Sequence, residues 1–354
     1  MCDADLMGYA EAFTSRCPMA YQKPNLPSVH FPAFVEQLGD LSGRVYVITG
    51  TTSGTGRVAA RTIASKGGRV FMLNRPSERA ERVQAELSQA FGDIIHTIPC
   101  DLQRFTSVRE AAAMLNAQCA DTGVDVLINN AGIMAMPDEA TEDGYDIQMQ
   151  TNHLSHFLLT REVFGLLERA ASQRGEARIV NHSSIARKGV KRLKAKYLEA
   201  RGGDLGGNSA SMLLQGARWV RYGQTKLANA AFTAALHRKL RTANSSVKAL
   251  VAHPGFANTE LQVTTAKSGG MPDWNSVFAR VASQSEEDGA LGILSCALLP
   301  EARCGQFYGP GRTIMATRGP AEPFALEAQY DNDKTRTLLW DKSCEAVGGD
   351  FPIG

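Results

Sequence analysis

Short apolar runs rich in β-branched residues alternate along the chain with longer stretches in which apolar positions recur every three or four residues. The run RVYVITG (44–50) is typical of a buried strand, GRVAARTIASKG (56–67) of a helix, and GRVFMLN (68–74) of a second strand. Strands that alternate with helices in this way lie parallel in one sheet, with helices on both of its faces. The pattern therefore predicts an α/β fold with a doubly wound parallel sheet.

The alternation continues to about residue 255, and no composition shift or internal repeat divides the chain. Its further segments are SERAERVQAELSQAF (77–91), DIIHTIPC (93–100), SVREAAAMLNAQCA (107–120), VDVLINNAG (124–132), ARIVNHSS (177–184) and SVKALVAHPG (246–255). We expect one domain over residues 41–354, in which RTLLWDKSCEAVGG (336–349) adds a helix against the core. Residues 1–40, with four prolines, are expected to form an N-terminal extension that wraps over the core or is partly disordered.

Composition and charge favour a globular protein without a strongly charged partner. The chain has 354 residues, 44% of them hydrophobic, and its net charge of +2 is too balanced to steer it toward nucleic acid. No apolar run is long enough to span a bilayer, and the N-terminus lacks the pattern of a signal peptide. The seven cysteines are scattered and form no CxxC pair, which favours reduced thiols. We therefore expect a cytoplasmic location.

The spacing of His153 and His156 is the strongest hint of a metal site in the sequence. Neither histidine has a cysteine or carboxylate nearby in the sequence to complete a ligand set. Packing or hydrogen bonding within a helix is the preferred interpretation, and no metal is expected.

A glycine-rich turn, VITGTTSGTGRVAA, joins the first predicted strand to the first helix of the alternating pattern. Gly50, Gly54 and Gly56 permit a tight turn and a close approach of the backbone to a ligand. The helix that follows directs unpaired N–H groups and the positive end of its dipole at the same place, where a pyrophosphate binds well. Such turns are common, but this one follows the first strand of a β–α–β unit, which predicts a Rossmann-type dinucleotide site.

The end of the second predicted strand indicates which dinucleotide is bound. NAD-binding proteins place a carboxylate there, whereas this chain has Asn74 followed by Arg75. Between Gly56 and Arg75 there is no acidic residue, and a guanidinium attracts the 2′-phosphate that a carboxylate would repel. The alternative is that Arg75 is an ordinary surface residue. NADP(H) is the expected cofactor.

Tyr222 and Lys226 are four residues apart at the start of the alanine-rich segment RWVRYGQTKLANAAF (218–232). Residues at i and i+4 project from the same side of a helix, so the phenol and the ammonium are neighbours. A neighbouring positive charge favours phenolate and lowers the pKa of a tyrosine. The pair is therefore a candidate for proton transfer.

Taken together, the motifs resemble the short-chain dehydrogenase/reductase family over most of residues 41–315. The matching pieces are TGTTSGTG (49–56), CDL (100–102), NNAG (129–132), NHSS (181–184), YGQTK (222–226) and HPG (253–255). The segments TNHLSHFLLT (151–160) and YGQTKLAN (222–229) are most similar to the branch of retinol dehydrogenases and WW-domain oxidoreductases. More distantly, the chain resembles the light-dependent protochlorophyllide reductases.

The resemblance implies a role for each matching residue. Tyr222 would be the general acid that protonates a carbonyl oxygen, and Lys226 would lower its pKa and hold the ribose of the nicotinamide. Ser184 would donate a hydrogen bond to the substrate oxygen, and Asn152 would hold a water of the proton relay. Substrate contacts are expected at Ser184, Met134 and Phe256. The implied cofactor contacts are Gly50, Thr52, Ser53, Gly54, Thr55, Gly56, Asn74, Arg75, Asp101, Leu102, Asn130, Ala131, Gly132, Tyr222, Lys226, Pro254, Gly255 and Thr259.

Two segments depart from the pattern of short family members. An insertion of about residues 187–217 separates Ser184 from Tyr222 and is rich in lysine and arginine, with Val190, Leu193 and Tyr197 as an apolar stripe on a predicted short helix. It is either a solvated basic helix or a surface that attracts an acidic substrate or an anionic membrane.

Residues 262–290 are expected to form a substrate lid, in which Met271, Trp274 and Phe278 cap an apolar substrate or simply pack.

Three functions are compatible with these residues. The first is NADP(H)-dependent hydride transfer to or from a bulky apolar aldehyde or ketone. The second is C=C reduction of the protochlorophyllide type, which is disfavoured because Phe256 stands where those enzymes have a cysteine. The third is a cofactor-sensing protein with little turnover, which is disfavoured by the intact set Asn152, Ser184, Tyr222 and Lys226. Substrate identity, reaction direction and oligomeric state are left open.

Overall fold

A sheet of eight strands lies at the centre of the part of the chain described by the computed structural model, which comprises residues 26–211, 215–257, 259–271, 283–311 and 317–353. The strands are β1 Val45–Thr49, β2 Arg69–Asn74, β3 Ile95–Pro99, β4 Val126–Asn129, β5 Ala177–His182, β6 Val247–Ala252, β7 Gln306–Pro310 and β8 Ala321–Ala325. Their order in the sheet is β3-β2-β1-β4-β5-β6-β7-β8. The first seven strands are parallel, which confirms the predicted doubly wound α/β fold.

Helices cover both faces of the sheet, and each face has its own apolar core. The helices are α1 Phe31–Glu36, α2 Gly54–Ser65, α3 Glu78–Phe91, α4 Phe105–Gln118, the single turn α5 Ile147–Met149, α6 Ser155–Glu162, α7 Phe164–Arg174, α8 Ala217–Thr242, α9 Glu260–Lys267, α10 Glu286–Leu298 and α11 Asp333–Val347. On one face α10 packs against α2, while α4, α6 and α8 cover the other. No helix in the described ranges is both long and apolar enough to cross a membrane.

The central strands are buried on both faces, which explains their nearly continuous apolar sequences. Every residue of β1 is buried, with Val45 and Val47 in one core and Tyr46 and Ile48 in the other. This alternation follows from the two-residue period of a strand. A β-branched run such as RVYVITG therefore gave a reliable strand prediction.

The last strand differs from the prediction of a purely parallel sheet. β8 pairs antiparallel with β7 and forms one edge of the sheet. Pro323 lies in β8, and an edge strand tolerates proline because only one of its sides must supply ladder hydrogen bonds. The proline and the lack of β-branched residues in AEPFA explain why the sequence gave no strand signal here.

The described part of the N-terminal extension packs on the core. Phe31 and Phe34 of α1 are buried, and the backbone N–H groups of Val29, His30 and Phe31 donate to the carboxylate of Asp288 at 2.8–2.9 Å. Residues 1–25 lie outside the described residues. The predicted C-terminal helix is present as α11, where Trp340 packs against the buried aromatic residues of the core.

The insertion is folded differently from the short amphipathic helix that its sequence predicts. It contains two 3₁₀ turns, Ile185–Gly189 and Ala195–Tyr197, and the apolar stripe of Val190, Leu193 and Tyr197 is buried in the core. Arg187 is also buried, paired with Glu327 at 3.1 Å. Its guanidinium is thus not part of a solvated basic surface. The other basic residues of the segment, Lys188, Lys191, Arg192, Lys194, Lys196 and Arg201, are exposed.

Candidate active site

A cavity of about 400 Å³ opens at the carboxyl ends of β1, β4, β5 and β6. The chain runs from β1 outward to β3 and then returns to β4, so the cavity lies where the strand order reverses. Ligands of open α/β sheets bind at this type of position. Sixteen residues predicted as site residues line it: Gly50, Thr52, Ser53, Gly54, Thr55, Asn130, Ala131, Gly132, Met134, Ser184, Tyr222, Lys226, Pro254, Gly255, Phe256 and Thr259.

The glycine-rich turn has the geometry that an anionic ligand requires. Gly50 and Gly54 have φ angles of 72° and 58°, which favour glycine, and a Cβ on Gly50 would lie 2.8 Å from the Ala131 Cβ. α2 begins at Gly54, and its N-cap Ser53 makes no side-chain hydrogen bond to the first turn. The first turn also contains no acidic residue. The N–H groups at this helix end are therefore not capped by Ser53, and their position suits a phosphate.

Gly56 has a packing role and does not line the cavity. A Cβ on this residue would lie 2.4 Å from Asn130 Nδ2, so α2 could not approach the end of β4. The amide of Asn130 donates to the carbonyls of Thr49 at 2.9 Å and Gly50 at 3.1 Å. Its oxygen accepts from Thr55 Oγ1 at 2.8 Å. Asn130 thus fixes the glycine-rich turn against the sheet.

Tyr222 and Lys226 lie on the first turns of α8 and line the cavity, although each is only 4% exposed. The Lys226 Nζ lies 5.7 Å from the centre of the Tyr222 ring, as the four-residue spacing predicts. The ammonium also donates to the carbonyl of His182 at 3.0 Å. The structure therefore brings the two predicted proton-transfer residues together at the end of β5.

Burial sets the ionisation of this pair. It raises the pKa of Tyr222 to about 12, and a hydrogen bond from Ser184 opposes that change only in part. It lowers the pKa of Lys226 to about 8, because an ammonium loses hydration inside the protein. The sequence predicted a lowered pKa for Tyr222, whereas burial in the folded protein raises it. At neutral pH, Tyr222 holds its proton and Lys226 is mostly charged.

Ser184 and Asn152 are held beside the pair by backbone contacts. Ser184 is the N-cap of the 3₁₀ turn that follows β5, and its hydroxyl accepts from the Ala186 N–H at 3.2 Å. Asn152 is fully buried and donates to Thr225 Oγ1 at 3.0 Å, while both polar atoms of its amide bond the backbone of Ile133. The side chain of Asn152 thus joins the loop after β4 to α8.

Asn152 belongs to a π-helical turn, Gln150–Leu154, that the sequence did not predict. Such turns widen a helix and occur frequently at functional sites. The two histidines near it are hydrogen-bonded inside the core: His153 Nε2 lies 2.9 Å from Ser343 Oγ, and His156 Nε2 lies 2.9 Å from Thr49 Oγ1. These contacts agree with the interpretation of His153 and His156 as packing residues.

Asn74 and Arg75 occupy different environments at the end of β2. Asn74 is buried, where its oxygen accepts from the Thr51 N–H and its amide donates to Thr51 Oγ1, both at 2.8 Å. Its side chain therefore supports the glycine-rich turn. Arg75 is exposed and forms no ion pair within the described ranges, so its guanidinium is free for an anion.

Asp101 and Leu102 follow β3 and do not line the cavity. Asp101 Oδ1 accepts from the Gln103 N–H at 3.0 Å, and the carbonyl of the buried Leu102 accepts from Ser155 Oγ. Asp101 is thus held by its own loop and Leu102 by the start of α6. Their expected contact with the cofactor remains a prediction.

The other half of the cavity is apolar and includes residues that the sequence did not single out. Met134 and Met271 pack on Tyr222, and the indole of Trp219 stands edge-on to the Tyr222 ring at 6.0 Å. Trp219 precedes Tyr222 by three residues, so helical periodicity was the signal that could have identified it. Val190 of the insertion and Leu261 of α9 complete this wall.

The segment predicted as a substrate lid, residues 262–290, lies only partly at the cavity. Gln262 of α9 and Met271 line the cavity, as does Leu261, which precedes the predicted segment. Residues from Glu286 onward belong instead to α10, which is buried against α2. Trp274 and Phe278 lie outside the described residues.

A buried arginine, Arg221, links the insertion to the loop after β4. Its side chain has no exposed surface and donates to the carbonyls of Gly207 at 2.8 Å and Met136 at 3.1 Å. Its Nε lies 3.2 Å from the Asp146 carboxylate. Because Arg221 is adjacent to Tyr222, these contacts fix the start of α8 at the cavity.

Comparison with known proteins gives consistent results for sequence and structure. The family model described as short chain dehydrogenase matches residues 44–200. An uncharacterized oxidoreductase of Schizosaccharomyces pombe is 34% identical over 283 residues, 79% of each chain. Human retinol dehydrogenase 11 is 30% identical over 315 residues, 87% of each chain. The crystal structure of an uncharacterized protein from Mycobacterium paratuberculosis is 28% identical, with a TM-score of 0.69, and the match covers 93% of this chain and all of that one.

Proposed function

Because the chain belongs to the short chain dehydrogenase family, in its retinol dehydrogenase-like branch, we propose that it is an NADP(H)-dependent oxidoreductase. It transfers a hydride between the nicotinamide and the carbonyl or alcohol carbon of a bulky apolar aldehyde or ketone. The observation that carries the proposal is the Tyr222–Lys226 pair, which lies in the wall of one cavity together with Ser184 and the glycine-rich turn.

The residues of the cavity supply the proton and the charge for this reaction. The bound nicotinamide would supply the hydride in reduction or accept it in oxidation. Tyr222 is protonated at neutral pH because of its raised pKa, so it can donate its phenolic proton to the carbonyl oxygen. The charged Lys226 then favours the phenolate that remains, and the Ser184 hydroxyl holds the same substrate oxygen. In alcohol oxidation the same groups act in reverse.

Two features near the cavity support NADP(H) as the cofactor. Gly50 and Gly54 hold the turn in a conformation that leaves the N-terminus of α2 free for the pyrophosphate. The exposed guanidinium of Arg75 follows β2 directly, where a 2′-phosphate would be bound. Since the described part of this strand end carries no carboxylate, NADP(H) is favoured over NAD(H).

The apolar wall supports a bulky apolar substrate. Met134, Trp219 and Met271 surround the phenol of Tyr222, so the carbon that receives the hydride would lie in apolar surroundings. Several relatives carry the name retinol dehydrogenase, and retinol is such a substrate. Cellular pools of NADPH favour the direction of reduction.

The test is a set of assays in which the loss of nicotinamide absorbance measures the oxidation of NADPH by each aldehyde. Wild type is expected to reduce long-chain and aromatic aldehydes and to act poorly on small hydrophilic ones. The variant Tyr222→Phe should bind NADPH within about threefold of wild type and lose at least about a hundredfold in turnover, since it lacks the proton donor. Tyr197→Phe removes the hydroxyl of a buried tyrosine in the insertion and is the matched control, with turnover near that of wild type.

Two outcomes would contradict the proposal. Normal turnover in Tyr222→Phe would remove the phenol from the reaction. Tight NADPH binding by the wild type without turnover of any aldehyde or alcohol would favour the cofactor-sensing protein instead.

A further inference from the structure

His182 lines the cavity, and one buried atom of its imidazole is left without a hydrogen bond by the described residues. His182 is the last residue of β5, lies two residues before Ser184 and is only 8% exposed. Its Nε2 has no hydrogen-bond partner within the described residues. A buried polar atom without a partner costs free energy, so at a cavity wall it indicates a partner on the ligand.

The neighbouring amide determines whether this atom donates or accepts. Asn130 donates from its Nδ2 to the carbonyls of Thr49 and Gly50, so its Oδ1 faces Thr55 Oγ1 and His182 Nδ1, the latter at 3.0 Å. An amide oxygen only accepts hydrogen bonds, and therefore the proton of the imidazole is on Nδ1. Burial lowers the pKa of His182 to about 3, which keeps the ring neutral. Nε2 is thus a hydrogen-bond acceptor.

The position of His182 indicates which part of a ligand it meets. Its carbonyl accepts from Lys226 Nζ at 3.0 Å, so the residue lies beside the proton-transfer pair. A dinucleotide that extends from the glycine-rich turn toward Tyr222 would bring its nicotinamide riboside half to this place. That half carries two kinds of donor, the carboxamide N–H and the ribose hydroxyls.

We propose that His182 is a cofactor-binding residue whose Nε2 accepts a hydrogen bond from the nicotinamide riboside half of the dinucleotide. The inference rests on the proposed function. Through Asn130 the same imidazole is connected to Thr55 in α2, so one chain of hydrogen bonds joins the glycine-rich turn to the nicotinamide half of the cofactor site.

Two variants test the roles of the two ring nitrogens of His182 separately. In His182→Asn the amide N–H replaces the Nδ1 donor to Asn130 and no acceptor remains at Nε2, whereas in His182→Gln the side-chain oxygen reaches the Nε2 position. NADPH affinity is measured by energy transfer from tryptophan to the bound dihydronicotinamide. The dissociation constant is expected to rise on the order of tenfold in His182→Asn and to stay within about threefold in His182→Gln.

Wild-type affinity in His182→Asn would overturn the inference, as would an equal loss in both variants. A measurement on the wild type does not depend on the folding of His182→Asn: the ¹⁵N resonance of His182 Nε2, assigned by its absence in His182→Gln, should shift when NADPH binds. An unchanged resonance would also overturn the inference. If the wild type binds neither NADPH nor NADH, the proposed function itself has failed.

An analogue of NADPH identifies which group of the cofactor donates the hydrogen bond to His182 Nε2. The 3-acetylpyridine analogue of NADPH has a methyl ketone in place of the carboxamide and therefore lacks that N–H. If the difference between wild type and His182→Asn disappears with the analogue, the carboxamide is the donor. If the difference persists, the donor is a ribose hydroxyl.

Discussion

The chemistry of single residues depends on burial as much as on residue type. The four-residue spacing of Tyr222 and Lys226 was sufficient to predict that they are neighbours, because it follows from helix geometry. Their pKa values could not be predicted in this way. Burial raises the pKa of Tyr222 and lowers that of Lys226, and it results from contacts with residues distant in sequence, such as Met134 and Met271.

The lowered pKa of Lys226 gives a prediction for cofactor binding. In the free protein the ammonium is present below about pH 8 and is lost above it. Because the charged form is the better donor to a ribose hydroxyl, we expect the dissociation constant of NADPH to rise between pH 7 and pH 9. It should increase by up to about tenfold per pH unit above pH 8. Fluorescence titrations with NADPH at several pH values between 7 and 9 measure this change in the dissociation constant.

Lys226→Met, which keeps the length of the side chain, is the comparison for this titration. It should bind NADPH more weakly than wild type at pH 7 and show no dependence on pH between 7 and 9. A wild-type affinity that is constant over this range would contradict the role of the charged ammonium.

Among the secondary-structure elements, those with strong periodicity were predictable and those defined by tertiary contacts were not. β1, β2 and β5 agree with the predicted strands within one or two residues. The π-helical turn at Gln150–Leu154 was missed because one additional residue in a helical turn leaves no mark in the pattern of apolar positions. The insertion was misassigned because Val190 and Leu193 lie in the segment between two 3₁₀ turns, where long-range packing in the core holds them.

Arg75, which follows β2, allows a prediction about the choice between NADPH and NADH. A partly exposed guanidinium that binds the 2′-phosphate contributes about 1.5–3 kcal/mol, which corresponds to about ten- to a hundredfold in affinity. We expect wild type to prefer NADPH over NADH by at least about tenfold in kcat/KM. Arg75→Ala should remove most of this preference. Arg82→Ala, which removes an exposed arginine of α3, is the matched control and should retain it.

Asn74→Asp is the complementary variant and should shift the preference toward NADH. The carboxylate can still accept from the N–H and the hydroxyl of Thr51, so the glycine-rich turn is retained while a 2′-phosphate is repelled. Equal use of both cofactors by wild type, or an unchanged ratio in Arg75→Ala, would exclude a phosphate-binding role for Arg75.

At the scale of the whole molecule, the fold and the glycine-rich half of the cavity were predictable, whereas the apolar half was predicted only in part, through Met134, Phe256 and Met271. The glycine-rich turn, NNAG, NHSS and HPG all follow the carboxyl ends of strands, so the parallel sheet brings them together. The apolar wall combines the insertion, the start of α8 and α9, which meet only through long-range contacts. Trp219 and Val190 were therefore not recognised as site residues.

The central claim is that this cavity transfers a hydride from a nicotinamide to a carbonyl carbon while Tyr222 supplies the proton. The most direct test uses NADPH that carries two deuterium atoms at C4 of the nicotinamide, with an apolar aromatic aldehyde as acceptor. Mass spectrometry of the alcohol formed by wild type should show one deuterium at the carbinol carbon of each product molecule, and Tyr222→Phe should form almost no labelled alcohol. Product without deuterium, or equal labelled product from both proteins, would contradict the account.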